Sequence, residues 1–270
     1  MNYEGVWVPL VTPFRDGRVD LIALGRVCEH LLAQGVGGFV ACGTTGEAPT
    51  LTEAERGDII GCAASLAPGA VAAGTGAIST AETIRLTDAA AQAGASAALV
   101  ISPPFLLPSQ AEIESHFRAV ADVSPLPVLI YNFPARTGGG VAPATALALA
   151  AHPNIVGTKQ SVAAVDPDLQ EVIHGAPPGF AVLCGSSLAF WPALAVGAHG
   201  GVLAAAHLEA PCLIRIFDSA RSGDLAGAAV AHHDIWPRLA AIEGPAAIKR
   251  RLYDSGLIAS AEMRPPLIAV

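Results

Sequence analysis

The sequence predicts an α/β fold in which eight parallel strands close into a (β/α)8 barrel, followed by a small C-terminal helical extension. Short apolar runs recur along the chain, most of them starting roughly 25 to 33 residues apart, and helix-like segments with capping residues lie between them. The runs are continuously apolar, which is typical of parallel strands buried on both faces. Eight strand–helix units favour a closed barrel over an open doubly wound sheet.

The elements follow in order along the chain. The predicted strands are Val6–Val11, Gly38–Cys42, Ala70–Gly74, Ala97–Ser102, Val128–Tyr131, Ile155–Lys159, Ala181–Cys184 and Gly201–Ala204. Helix starts are indicated at Asp20, Thr52 (with Glu55 completing a capping box), Thr80, Ser109 and Pro143. We therefore expect a catalytic barrel over residues 1–208 and a helical segment over 209–270 that packs on it.

Composition excludes several classes of protein. The chain has 270 residues, of which 52% are hydrophobic and 14% charged, so it is long and apolar enough to bury a large core. Its net charge of -8 argues against nucleic acid binding. Glycines, a proline and a histidine interrupt the most apolar stretch, 188–206, and residues 1–5 do not resemble the start of a signal peptide. We expect no membrane segment and a cytoplasmic location.

Metal and cofactor signatures are missing from the sequence. The five cysteines have no C-x-x-C spacing, and the eight histidines have no spacing typical of metal ligands. The stretch Gly74-Thr75-Gly76 is a lone G-x-G, which is weak evidence for a nucleotide site. We therefore predict small buried cysteines, no metal and no organic cofactor.

The two lysines of the chain have different surroundings. Lys249 lies in Lys249-Arg250-Arg251, where we expect a solvated, charged helix face. Lys159 ends the sixth predicted strand, at the barrel end that carries active sites. A lysine there loses solvation, which disfavours its charged form and leaves a neutral amine that attacks carbonyl groups. Lys159 is therefore predicted to be a Schiff-base nucleophile, the alternative being a buried ion pair.

Other polar groups follow neighbouring predicted strands. Tyr131 ends the strand before the lysine strand, and its hydroxyl is a candidate proton carrier. Thr44 and Thr45 follow Gly43 after the second strand, where their hydroxyls can bind a carboxylate. Arg136 is a candidate partner for a second carboxylate. Gly185 after the seventh strand permits close backbone approach. The alternatives are a structural tyrosine, a surface arginine and plain turns.

Taken together, these segments resemble the dihydrodipicolinate synthase / N-acetylneuraminate lyase family of class I aldolases. The matching segments are GVWVPLVTPF (5–14), GTTGE (43–47), YNFPARTG (131–138), GTK (157–159) and Gly185-Ser186. Each motif is weak alone, but the ordered set at strand ends is specific and spans nearly the whole chain.

The resemblance implies a mechanism and a set of residue roles. Members bind pyruvate, or a 2-oxo acid that yields it, as an imine on the lysine that matches Lys159. Thr44 and Thr45 match residues that relay a proton and hold the pyruvate carboxylate, and Tyr131 matches the tyrosine that shuttles protons. Arg136 matches the arginine that holds the carboxylate of the second substrate in the synthases. The resemblance also implies an aldehyde as second substrate and a homotetramer or homodimer.

One position departs from the synthase pattern. The synthases carry two adjacent tyrosines after the fourth strand, and the second reaches into the neighbouring subunit's site. Phe105 stands at that place here and has no hydroxyl. The proton relay of the synthases is therefore incomplete.

The sequence favours cleavage or formation of a 4-hydroxy-2-oxo acid through a Lys159 imine. Segments 152–157 and 198–204 are similar to the 4-hydroxy-2-oxoglutarate aldolase branch of the family. The alternatives are dihydrodipicolinate synthase, which condenses pyruvate with aspartate semialdehyde, a dehydratase of keto-deoxy sugar acids, and a pyruvate-binding sensor without catalysis. An NAD-linked oxidoreductase is disfavoured because the glycine fingerprint is missing.

Overall fold

A computed structural model describes residues 3–242 and 244–269, and it confirms the (β/α)8 barrel. The eight barrel strands are Gly5–Pro9 (β1), Gly38–Ala41 (β4), Val71–Gly74 (β5), Ala97–Ile101 (β6), Val128–Asn132 (β7), Ile155–Gln160 (β8), Ala181–Cys184 (β9) and Gly200–Val202 (β10). All are parallel, and β10 pairs with β1 to close the barrel. Each predicted strand is present, with ends that differ by a few residues.

Side chains of the barrel strands alternate between two cores. The inner core fills the barrel with residues such as Trp7, Leu129 and Leu183. The outer core lies between the strands and the surrounding helices, and it contains Val8 and Ile130. Both faces of each strand are therefore buried, which explains why the strands are apolar without alternation.

A helix begins at or next to each of the predicted helix starts. They are Leu21–Ala33 (α1), Glu53–Leu66 (α2), Thr80–Gln92 (α3), Gln110–Val123 (α4), Pro134–Thr137 (α5), Pro143–Leu149 (α6), Pro167–Gly175 (α7), Phe190–Ala195 (α8), Ala206–Arg221 (α9), Leu225–Ala240 (α10) and Gly244–Asp254 (α11). Asp20 caps α1, and capping boxes start α2 and α4 at Thr52 and Ser109. The cap of α3 is Ser79, one residue before the predicted start.

A short hairpin, which the sequence did not indicate, follows β1. It pairs Phe14–Arg15 (β2) with Arg18–Val19 (β3) in antiparallel orientation. Phe14 is buried and anchors the hairpin to the outer core.

The C-terminal part of the chain is helical. Helix α9 packs on β1, α10 packs on α9, and α11 lies against α9. The division into a barrel over 1–208 and a C-terminal segment over 209–270 stays a prediction, and residues 1, 2, 243 and 270 of those ranges lie outside the described residues. Within the described residues, no helix has the length and apolar character needed to span a bilayer.

The prediction of a solvated Lys249 is wrong. Lys249 and Glu47 form an ion pair in which both side chains are fully buried. The ammonium also donates to the carbonyl oxygen of Glu262 at 2.8 Å and lies 4.2 Å from the centroid of the Phe14 ring. The neighbouring arginines do face solvent, because successive helix residues point in different directions.

All five cysteines are free thiols, but not all are buried. Cys28, Cys42 and Cys184 are buried, as predicted, whereas Cys62 and Cys212 are half-buried.

Candidate active site

Lys159 and Tyr131 lie side by side at the C-terminal end of the barrel strands. They are register partners on β8 and β7, and both point into the barrel and are 6% exposed. The Lys159 Nζ lies 4.1 Å from the centroid of the Tyr131 ring. Strand pairing fixes both backbones, so the contact is preorganised. No acidic residue of the described ranges forms an ion pair with Lys159, which disfavours the ion-pair alternative.

The threonines lie on the turn that follows β4. Thr44 is exposed and Thr45 is half-buried. The turn is closed by hydrogen bonds from the amides of Gly46 and Ala48 to the carbonyl oxygen of Gly43, at 3.1 and 3.3 Å. Thr12 anchors it from the neighbouring β1 side by donating to the carbonyl oxygen of Gly46 at 2.7 Å. Within the described residues neither Thr44 nor Thr45 uses its hydroxyl in a hydrogen bond, so both remain available to a ligand.

Arg136 lies on α5, the single turn that follows β7. Its guanidinium is exposed and lies 5.7 Å from the centroid of the Phe133 ring. Gly138 ends the turn in the left-handed conformation, with φ 74°, which favours glycine. Among the described residues Arg136 has no acidic partner, so its charge is free for a substrate carboxylate.

Gly185 is required by packing rather than by hydrogen bonding to a ligand. Its amide already donates to the carbonyl oxygen of Gln160 at 2.8 Å. A Cβ at this position would overlap the Ser161 hydroxyl and backbone. Gly185 therefore lets the segment after β8 approach the end of β9.

Phe105 lies on the loop that follows β6, in the left-handed conformation with φ 69°. Its side chain is 83% exposed, and Leu106 and Leu107 beside it are 65% and 63% exposed. Three neighbouring large apolar side chains on one loop form an exposed patch.

Two adjoining lobes form the cleft at this barrel end. The inner lobe, of about 460 Å³, is lined by Lys159, Tyr131, Thr44, Thr45, Arg136, Gly185 and Ser186 among others. The outer lobe, of about 320 Å³, is lined by Gly43, Phe105, Arg56, Leu99 and Ile101 among others. Thr44, Tyr131 and Arg136 line both lobes. The eight residues that the sequence singled out therefore all line one or both of these adjoining lobes.

The inner lobe has a positive character. None of its described lining residues is acidic, whereas Arg136 contributes a guanidinium group and Lys159 an amine. Burial raises the pKa of Cys184 to about 11 and that of Cys42 to about 12, so both nearby thiols are protonated at neutral pH. Lys159 is therefore the one amine among the described residues that line the lobe, and no other described lining residue offers a nitrogen nucleophile of this kind.

The sequence did not indicate the C-terminal wall of the inner lobe. Gly244 and Pro245 at the start of α11 and Leu267 near the chain end line it together with Lys159. It also gave no sign that Arg56 lines the outer lobe, where the guanidinium donates to the carbonyl oxygens of Ala48 and Gly74. Small and apolar wall residues have no chemical signature, so only the fold reveals them.

Comparison with known proteins assigns the family. The sequence matches the dihydrodipicolinate synthetase family over residues 2–270. The chain belongs to this family. A 4-hydroxy-tetrahydrodipicolinate synthase from Methanoculleus marisnigri is 36% identical over 273 residues, which cover 98% of this chain and 93% of the relative.

Solved structures of the dihydrodipicolinate synthetase family have the same fold. The dihydrodipicolinate synthase from Aquifex aeolicus is 33% identical with a TM-score of 0.94, covering 99% of this chain and 93% of that one. The chloride-inhibited synthase from Acinetobacter baumannii, solved with pyruvate, is 31% identical with a TM-score of 0.94, covering 100% and 94%. The chain is therefore an enzyme, a lyase of the class I aldolase type.

Proposed function

We propose that this enzyme forms an imine between Lys159 and the 2-oxo group of pyruvate and uses it to cleave or form a 4-hydroxy-2-oxo acid. The observation that carries the proposal is the buried Lys159 amine beside the Tyr131 ring, in a lobe without a described acidic residue. The Lys159 amine has no ion-pair partner among the described residues, and it lies in a lobe that a carbonyl compound can enter.

The chemistry needs few groups beyond the amine. In the condensing direction Lys159 Nζ attacks C2, water leaves, and a proton is lost from C3 to give an enamine. The enamine carbon attacks the aldehyde carbon, the new alkoxide takes a proton, and water releases the product from lysine. We assign the proton transfers to the Tyr131 and Thr44 hydroxyls, since both line the inner lobe with Lys159.

The substrate carboxylates have separate partners in this proposal. Thr45, beside the free hydroxyl of Thr44, holds the pyruvate carboxylate on the turn after β4. Gly43 closes that turn, and Gly185 shapes the opposite wall. Arg136, exposed at the junction of the two lobes, holds a carboxylate of the aldehyde. The second substrate is therefore an aldehyde that carries an acid group.

Phe105 favours an aldolase that works without a third hydroxyl. Its ring lines the outer lobe next to Tyr131 and Arg136 and offers only an apolar surface. In this proposal proton transfer rests on Tyr131 and Thr44 alone.

The second candidate is 4-hydroxy-tetrahydrodipicolinate synthase. It is supported by the name of the relative that is 36% identical and by the presence of Arg136. Both candidates share the first aldol step, because condensation of pyruvate with aspartate semialdehyde also begins by forming a 4-hydroxy-2-oxo acid. They differ in the cyclisation that follows.

We also propose that copies of the chain associate as a homodimer or homotetramer through the loop after β6. The exposed side chains of Phe105, Leu106 and Leu107 support this, because large apolar patches on a surface are typical of protein interfaces.

The test is borohydride reduction with pyruvate, followed by mass spectrometry of peptides. Because Lys159 and Lys249 are the only two lysines, a reduced adduct on a lysine is assigned to one of two peptides. We expect an adduct on the Lys159 peptide that is absent from Lys159→Ala. A folded protein that forms no reduced adduct with pyruvate would contradict the proposal. Production of dihydrodipicolinate in a reductase-coupled assay would favour the second candidate over the first.

A further inference from the structure

A buried ion pair outside the cleft joins the threonine turn to the C-terminal wall. Glu47 and Lys249 are both fully buried, and they are separated by 202 residues in sequence. Burying two charges is costly even when they are paired, and apolar residues of similar size often stabilise a protein as well. The presence of this buried ion pair is therefore not explained by its contribution to stability alone.

The first end of the pair is the turn that carries Thr44 and Thr45. The Glu47 amide donates to the carbonyl oxygen of Thr44 at 3.2 Å, and the Thr50 amide and hydroxyl donate to the Glu47 carbonyl oxygen at 2.8 and 2.9 Å. Glu47 adopts the left-handed conformation, with φ 57°, which is unfavourable for a side chain with a Cβ. The Glu47 side chain is fully buried, and its carboxylate pairs with Lys249.

The second end is the C-terminal wall of the inner lobe. Lys249 lies on α11, whose first residues, Gly244 and Pro245, line the lobe. The other Glu47 carboxylate oxygen accepts a hydrogen bond from the Arg264 amide at 2.9 Å, and Leu267 beyond it also lines the lobe. One carboxylate therefore contacts both C-terminal segments that border Lys159.

Every strong donor around the carboxylate is engaged. Lys249 donates to Glu47 and to the carbonyl oxygen of Glu262, and its ammonium lies over the Phe14 ring. The Arg264 guanidinium stacks on Phe14, 4.5 Å from the ring centroid, and pairs with Glu55. A fully satisfied buried network of this kind restricts the relative positions of the elements it joins.

We infer that Glu47 and Lys249 are positioning residues, which hold the Thr44–Thr45 turn and the C-terminal wall at fixed distances from Lys159. The inference rests on the proposed function. Neither residue touches the cleft, so their effect on catalysis passes through the threonine hydroxyls and the wall. Small displacements of such groups are enough to lower a rate severely.

The test is the double variant Glu47→Gln/Lys249→Met, which removes both charges and leaves neither one unpaired. Two quantities are measured: the pyruvate concentration that gives half-maximal borohydride trapping on Lys159, and kcat with the accepted aldehyde. We expect the double variant to fold and to be trapped at saturating pyruvate, with half-saturation raised tenfold or more and kcat lowered tenfold or more.

The matched control is Glu55→Gln. It breaks the ion pair of Arg264 on the same C-terminal segment but leaves the Glu47 carboxylate and Lys249 in place. We expect both pyruvate half-saturation and kcat to stay within twofold of the parent. A similar loss in the control and in the double variant would mean general loosening of the C-terminal segment and would overturn the inference.

A second variant covers the case in which the double variant does not fold. Glu47→Asp keeps the charge and the pair but shortens the side chain by one methylene, which displaces the turn. We expect a severalfold rise in half-saturating pyruvate with Tm nearly unchanged. Unchanged half-saturation and kcat in a folded variant would overturn the inference, whereas a parent enzyme without any trapped adduct would overturn the proposed function itself.

Discussion

Lys159 and Tyr131 face each other across neighbouring parallel strands, with the lysine Nζ 4.1 Å from the centre of the tyrosine ring. The contact follows directly from barrel geometry, because register partners on adjacent strands point the same way. Each residue is 6% exposed, so water has limited access to both. The ring therefore forms one wall for the amine, and its hydroxyl lies in the same lobe.

We expect Lys159→Ala to remove all imine chemistry while the barrel stays folded. The substitution deletes the only amine that lines the inner lobe among the described residues. The reaction rate should fall by at least about 10³-fold, since covalent catalysis is lost completely. Initial rates of pyruvate release from 4-hydroxy-2-oxo acids measure this. A folded Lys159→Ala variant that still releases pyruvate at the parent rate would contradict the assignment.

Tyr131→Phe tests proton transfer separately from packing. The ring that lies against Lys159 is kept, whereas the hydroxyl is lost. General acid–base catalysis typically contributes about 10²–10⁴-fold, so we expect kcat to fall by about 10²-fold with Tm within a few degrees of the parent. The adduct with pyruvate should still form, but more slowly. If kcat were unchanged, the hydroxyl would have no part in the reaction.

The buried ion pair of Glu47 and Lys249 leads to a prediction about the free energy of unfolding. Lys249→Met leaves Glu47 charged and unpaired in a fully buried site, so we expect a loss of about 3–5 kcal/mol in the free energy of unfolding. Arg85→Met is the control, because Arg85 pairs with Glu53 and Glu82 at the surface, where screening by solvent leaves such pairs little effect on stability. Urea denaturation of both variants measures the difference. Equal losses would contradict the special cost of the buried charge.

His207 should make stability fall in mild acid. Its Nε2 accepts from the Val11 amide at 3.1 Å and its Nδ1–H donates to the carbonyl oxygen of Ala204 at 2.9 Å, so the folded protein requires the neutral ring. Burial lowers its pKa from 6.5 to about 4. Between these values the unfolded chain binds the proton and the folded chain does not. This histidine therefore removes stability as the pH drops from 6.5 to 4, by up to about 1.4 kcal/mol per pH unit.

The variant His207→Gln isolates this effect, because the other titrating groups remain. Unfolding free energies at pH 7.0, 5.5 and 4.5 should fall less steeply for the variant than for the parent. His30→Gln, which changes an exposed histidine, serves as the control and should follow the parent. Parallel curves for the parent and His207→Gln would rule out the assignment.

Much of the fold could be predicted from local sequence. Strands of a closed barrel are continuous apolar runs, and helix starts such as Thr52 and Ser109 carry capping boxes within four residues. The candidate site followed from the same logic, because Lys159 and Tyr131 stand at strand ends. These signals are contained in short segments and need no knowledge of distant contacts.

The remainder depended on contacts that no local segment encodes. Lys249 sits among arginines and was expected to face solvent, yet its partner Glu47 is 202 residues away. Pro245 and Leu267 are ordinary apolar residues that line the lobe only because α11 and the segment after it fold back over the barrel mouth. Gly185 stays a predicted site residue, and packing against Ser161 explains why a glycine is needed there, since its amide is already bonded.

Phe105→Tyr tests what separates the two candidate functions. The new hydroxyl lies on a side chain that is 83% exposed within one chain, and it supplies the group that the resemblance to the synthases leads us to expect at this place. If the missing hydroxyl limits cyclisation or proton relay, the variant should produce dihydrodipicolinate in the reductase-coupled assay at a rate several times that of the parent. The rate of 4-hydroxy-2-oxo acid cleavage should change less, because Lys159, Tyr131 and Thr44 are untouched.

Phe133→Tyr adds a hydroxyl to a ring in the inner lobe and is the matched control. If the parent enzyme already produced dihydrodipicolinate as fast as Phe105→Tyr does, the hydroxyl would be dispensable. The synthase would then be the better assignment.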